Sequence, residues 1–235
     1  IIFTFTPWGN PHDFIYEIIQ TPLTKLGSGI SATIVAIFSI QILWFFGLHG
    51  QIIVNSVMDP IWNTLSLENL NAFQAGTEMP NIITKQFIET FTVGLGGTGM
   101  TLIVILAILI FMKSRQLKEI ARLAAPAGLF NVNEPVTFGL PIVLNPIMFI
   151  PFVFVPVINA IIAYFAINSG LVTPLVVLNS GAEPVFLNVL VLAAFKWSPV
   201  ILYALLFVLD MVLYAPFLKL QLKQNSANQE TEMSF

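Results

Sequence analysis

The hydrophobic pattern divides the chain into long apolar runs set apart by short polar punctuation. Residues 29–54 form the first run, uncharged except for His49. Residues 92–112 form the cleanest one. They are uncharged and, at about 1.5 Å of rise per residue, long enough to cross a bilayer as one helix. Residues 140–167 and 199–218 are also long enough to span, the latter with Asp210 near its middle. The former holds Pro141, Pro146, Pro151 and Pro156, which membrane helices tolerate where neighbours satisfy the freed carbonyls. Residues 55–91 are polar, with Asp59-Pro60, Glu68, Asn69, Asn71, Gln74, Glu78 and Lys85. They read as a water-exposed connection with short helices.

Two shorter runs are interrupted. One is too short to cross and breaks near Asn133-Glu134-Pro135; the other, residues 170–195, breaks over Asn179, Gly181 and Ala182-Glu183-Pro184. Glu-Pro-Val at 134–136 returns at 183–185. Broken backbone survives at membrane depth only where protein or a water-filled cavity satisfies it. Both segments are therefore expected as re-entrant helical hairpins, an arrangement that often builds a site near the midplane.

Basic residues orient the chain. Lys113, Arg115, Lys118 and Arg122 follow the run at 92–112, and Lys219 and Lys223 follow the run at 199–218. The positive-inside rule puts both of these ends in the cytoplasm. The two hairpins then open from opposite faces toward a common depth. Arg115 and Glu119 are spaced to pair across one helical turn.

At the start, Phe14, Ile15, Ile18 and Ile19 share one helical face, which Asp13, Glu17 and Gln20 interrupt. Such a helix is expected to lie along the membrane surface or to pack into a core. The chain opens Ile1-Ile2-Phe3-Thr4-Phe5 with no charged leader and reads as part of a longer protein. Residues 1–27 thus read as an amphipathic connector, 28–223 as the membrane domain, and 224–235 as a disordered cytoplasmic tail.

Composition narrows the class. The chain is 57% hydrophobic and 9% charged, against about 25% charged for soluble domains, so it is expected to be an all-α, multi-pass integral membrane protein. A net charge of −3 argues against nucleic-acid binding. The sequence has no cysteine, which removes disulfides, thiol nucleophiles and thiolate metal sites. It also lacks His-Glu-x-x-His and Gly-x-Ser-x-Gly, so an intramembrane enzyme is not expected. No metal or cofactor is expected either.

The candidate chemistry lies inside the apolar runs. An acid at membrane depth costs roughly 2.5–3.5 kcal/mol on insertion scales, so Glu134 is seldom idle there. The alternative role for Glu134 is to cap a helix end. His49 sits in Gly47-Leu48-His49-Gly50, where the glycines allow the backbone to approach a ligand closely. A histidine satisfied by a neighbouring carbonyl has the same pattern. Gly94-x-Gly96-x-x-Gly99 carries the letters of a dinucleotide fingerprint, but without the strand–helix context that gives them meaning.

Gly47-Leu48-His49-Gly50 together with Asn133-Glu134-Pro135-Val136-Thr137-Phe138-Gly139-Leu140-Pro141 resembles the EIIC membrane component of the sugar phosphotransferase system, in its lactose/cellobiose/diacetylchitobiose branch. Tyr214-Ala215-Pro216-Phe217-Leu218-Lys219 resembles that family's terminal helix. The resemblance covers about the C-terminal half of a usual member. It implies a permease of the bacterial cytoplasmic membrane that carries a disaccharide inward without an ion gradient, and that is not an enzyme on its own. A separate EIIB subunit, charged through EIIA, would phosphorylate the 6-hydroxyl from a phosphocysteine. The full-length protein is expected to be a homodimer. By resemblance, His49 and Glu134 sit at the reacting hydroxyl, with Asn131, Asn133, Gly97 and Thr98 as further substrate contacts. Leu171-Val172-Thr173-Pro174 keeps only the Thr-Pro of the family's Trp-Thr-Thr-Pro-type segment, which leaves the sugar open. The other class that fits broken helices bearing acids is an ion-coupled transporter using Glu134, Glu183 and Asp210.

Overall fold

A computed structural model of the chain describes residues 29–112, 114–140, 142–178 and 183–232. Among these there are only helices and their connections. In chain order they are α1 (Ile30–Phe45), α2 (Gly50–Gln74), α3 (Lys85–Phe91), α4 (Thr101–Phe111), α5 (Arg115–Gly128), α6 (Glu134–Gly139), α7 (Pro146–Asn168), α8 (Val185–Leu192) and α9 (Trp197–Glu232). The amphipathic connector expected over 1–27 lies outside the described residues, as do Asn179 to Ala182 of the second break.

Helix α7 and the part of α9 from Trp197 to Gln221 are long and apolar enough to cross a membrane, with mean hydropathies of 2.3 and 2.2. Their polarity is turned inside out. On α9, Ile201, Leu205, Val208 and Val212 are exposed and fall on one helical face, where lipid rather than water is the fitting solvent. Tyr203, Asp210 and Tyr214, on the opposite face, are buried. Helices α1 and α9 both pack along α7, and α4 packs against α5. One apolar cluster joins α1, α4, α5, α6, α7, α8 and α9; another joins α1, α2, α3, α7, α8 and α9.

Several expected boundaries move, each for a local reason. Residues 92–112, expected as one spanning helix, are helical only from Thr101 to Phe111 after a turn of 3-10 helix at Thr98–Met100. Gly96, Gly97 and Gly99 take φ of 90°, 87° and 75°. That left-handed region is open to glycine and cannot continue an α-helix. The run at 29–54 divides at Gly47, whose φ is 80°. Residues 55–74, expected to be a connection with short helices, instead complete the single 25-residue helix α2. Its polar residues pair with a neighbour: Asn69 accepts from the Asn81 N–H at 2.9 Å, and Asp59 lies 2.6 Å from Lys85 Nζ. The span expected from residue 140 begins at Pro146, where Asn145 caps the Ile147 N–H at 3.0 Å and proline needs no partner. At the far end α9 stays helical to Glu232, through residues assigned above to a disordered tail. No glycine or proline follows Pro216 to stop it.

Candidate functional site

The glycine-rich turn between α3 and α4 is the hub of the site. Asn131 Oδ1 accepts from the Gly96 N–H at 3.0 Å. Asn133 Nδ2 reaches the Thr98 carbonyl at 3.4 Å and Thr137 Oγ1 at 3.1 Å. Thr98 Oγ1 donates to Gln51 Oε1 at 2.9 Å. From α9, the Tyr203 and Tyr214 hydroxyls donate to the carbonyls of Gly94 and Gly99. A turn of this kind frees backbone groups that a helix would satisfy internally, and side chains from the α5–α6 break and α9 satisfy several of them, while Gln51 of α2 holds the Thr98 hydroxyl.

The four lesser candidates are therefore brought together. Asn131 and Asn133 fix the turn that carries Gly97 and Thr98. Asn133 is only 2% exposed, with its amide committed inside. A Cβ on Gly97 would sit 2.7 Å from Asn133 Cβ and 2.8 Å from the Asn131 carbonyl oxygen, so only glycine allows this approach.

The two leading candidates meet across the break. Helix α5 stops at Gly128 and α6 starts at Glu134, with Pro135 in its first turn. Glu134 is thus both a first-turn acid, favourable to the helix dipole, and a group facing outward. His49 caps α2, its Nδ1 accepting from the Ile52 N–H at 3.3 Å. That bond leaves the proton on Nε2 in the neutral ring. His49 Nε2 lies 3.5 Å from Glu134 Oε1, and the two side chains are 38% and 44% exposed. The Trp44 ring supports the pair, with centroids 4.4 Å from His49 and 5.9 Å from Phe138. The separation exceeds the roughly 2.7–2.9 Å of a tight charge-assisted bond, so each group retains capacity for a third partner. A hydroxyl placed between them can accept from Nε2–H and donate to the carboxylate.

The second Glu-Pro-Val segment meets the end of α5, just before the first break. Both such segments lie at the start of a short helix, α6 or α8, and the Val185 N–H donates to the Leu129 carbonyl at 2.9 Å. Residues the sequence reading did not select complete the surroundings: Gln51, Glu89, Thr90, Asn188, Tyr203 and Tyr214. Burial pushes the Glu89 carboxyl up, against the opposing pull of Lys85. For the tyrosines a signal was present, because Tyr203, Asp210 and Tyr214 recur on one face of an apolar helix.

The sequence model of the family "Phosphotransferase system, EIIC" matches residues 1–156. The chain belongs to that family. It is 52% identical over 224 residues to the oligo-beta-mannoside-specific EIIC component of Bacillus subtilis (strain 168), covering 95% of this chain and 50% of that one. It is 38% identical over 235 residues to the cellobiose-specific EIIC component of Geobacillus stearothermophilus, covering 99% and 52%. Among solved EIIC structures, it superposes on the transporter ChbC, the IIC component of an N,N'-diacetylchitobiose-specific phosphotransferase system. The TM-score is 0.92 at 40% identity, covering 97% of this chain and 53% of that one. The chain thus spans about half the length of the EIIC relatives it matches.

Proposed function

We propose that this chain is the sugar-binding half of a phosphotransferase permease that binds a disaccharide of the cellobiose, diacetylchitobiose or lactose class. The observation that carries this reading is the unsaturated pair of His49 and Glu134, beside a glycine turn held open from three sides. The specificities for which its EIIC relatives are named support the sugar class.

In this reading the sugar's 6-hydroxyl sits between Nε2–H and the carboxylate. Histidine fixes the oxygen, and Glu134 accepts the proton as that oxygen attacks phosphorus. The oxygen–phosphorus bond forms and the sulfur–phosphorus bond to a phosphocysteine of EIIB breaks. Phosphoryl transfer needs mainly such placement and a proton acceptor. Asn131, which keeps some exposed surface, borders the ring, and the buried Asn133, Gly97 and Thr98 hold the turn behind it. EIIA recharges EIIB, and the full-length permease works as a homodimer in the bacterial cytoplasmic membrane.

Binding of cellobiose, lactose and diacetylchitobiose to the detergent-purified full-length protein, wild type and Glu134→Gln, tests this. One disaccharide should bind and the variant should lose it. Equal affinity in the variant removes Glu134 from the site. Uptake that depends on a pH or sodium gradient rather than on a phosphoryl donor would replace this reading with an ion-coupled one.

A further inference from the structure

Helices α4 and α9 pack side by side, and between them runs a groove of about 580 Å³. One wall carries the row Ile103, Ala107 and Phe111, the other the row Met211, Ala215 and Lys219. Residues four apart lie above one another on a helix face, so each row follows its helix axis. The alanine in the middle of each row keeps the groove open. Eight residues of helix rise about 12 Å, close to the depth of one leaflet of a hydrocarbon core roughly 30 Å thick.

The chemistry of the groove changes at one end. Apolar side chains line it as far as Lys219, which is exposed, and the exposed Lys223 continues the same row one turn on. Among the described residues no carboxylate lines the groove, and neither lysine is in an ion pair. These lysines follow the apolar part of α9, so the positive-inside rule puts this end at the cytoplasmic surface. Apolar walls offer water no hydrogen bonds but suit hydrocarbon. A slot about one leaflet deep that ends in two uncompensated positive charges matches an amphiphile with an anionic head.

We infer that this groove binds an anionic phospholipid of the cytoplasmic leaflet. One acyl chain lies between α4 and α9, and the phosphate rests on Lys219 and Lys223. The lipid clamps the two helices together on their outer side, away from His49 and Glu134, and the assignment does not depend on the sugar reading.

The test titrates the full-length protein in detergent with phosphatidylglycerol and with phosphatidylcholine of the same acyl chains, and counts bound lipid by native mass spectrometry. Wild type should prefer phosphatidylglycerol by roughly 25-fold, about fivefold for each lysine near an anionic headgroup. Lys219→Gln should lower that preference about fivefold, and Lys219→Gln with Lys223→Gln should remove it. Arg122→Gln, at an exposed position on α5 outside the groove lining, should keep it. Ala215→Phe should weaken both lipids by filling the groove; should overpacking unfold this variant, the lysine variants at exposed positions decide. Glycerol 3-phosphate, which has no acyl chain, should not displace the lipid. Equal binding of both lipids to wild type, or a preference that survives the double lysine variant, overturns the proposal. Displacement by glycerol 3-phosphate would mark a free-phosphate site, and no retained lipid would mean that the rest of the permease covers the groove; either also overturns it.

Discussion

Asn159 and Asp210 face each other inside the helical bundle, Nδ2 donating to Oδ2 at 2.9 Å, and neither residue has any exposed surface. They join α7 and α9, both long and apolar enough to cross a membrane. The remaining oxygens, Asn159 Oδ1 and Asp210 Oδ1, have no partner. Asp210→Asn places an amide opposite Asn159, so both oxygens can be matched by N–H donors. It should preserve or raise the thermal midpoint in detergent. Asp210→Ala leaves the Asn159 amide stranded and should cost about 1–3 kcal/mol. A lower midpoint for the asparagine variant than for the alanine variant would refute this pairing.

Glu134 is 44% exposed at the start of α6, so Glu134→Gln should insert and fold normally. Its sugar affinity should fall roughly 10- to 100-fold, as expected when a hydrogen bond to a charged group is lost. A fluorescence or calorimetric titration reads this directly, with the thermal midpoint as the control.

His49 has two roles that substitution can separate. As the cap of α2 it contributes stability, about 0.5–2 kcal/mol by comparison with other caps. As the partner of Glu134 it contacts the ligand. His49→Asn keeps a capping acceptor and should lose binding at near-normal stability. His49→Ala should lose both. If the asparagine variant binds sugar normally, the capping bond to Ile52 is the whole role of His49.

Two glycines with positive φ have very different surroundings. Gly76 has φ of 69° with open space around the would-be Cβ, and Gly97 has φ of 87° with Asn133 and Asn131 in the way. Gly76→Ala should therefore cost only the backbone term, roughly 1–2 kcal/mol. Gly97→Ala should cost more and also abolish sugar binding, because the turn cannot keep its place beside Asn133. Comparable midpoints for the two variants would argue against this packing.

Hydropathy made α7 and α9 legible, because spanning length is written in uninterrupted apolar sequence. The break at Asn133-Glu134-Pro135 was legible for the complementary reason: proline and an acid are out of place in such a run. The helical start at Gly94–Gly99 was misread because a hydropathy sum does not register φ. The role of the asparagines was hidden for another reason. Asn131 meets Gly96, and Asn133 meets Thr98, across 35 residues in each case, and no local pattern records such a partner.

The tethers on the glycine turn have a mechanical consequence. Asn131, Gln51, Tyr203 and Tyr214 reach it from different elements, and the Phe152 ring of α7 occupies the space a side chain on Gly99 would need. The turn has no freedom to swing like a gate on its own hinge. In the permease proposed above, any displacement of the turn would carry α7 and α9 along with it as one block, because both grip it.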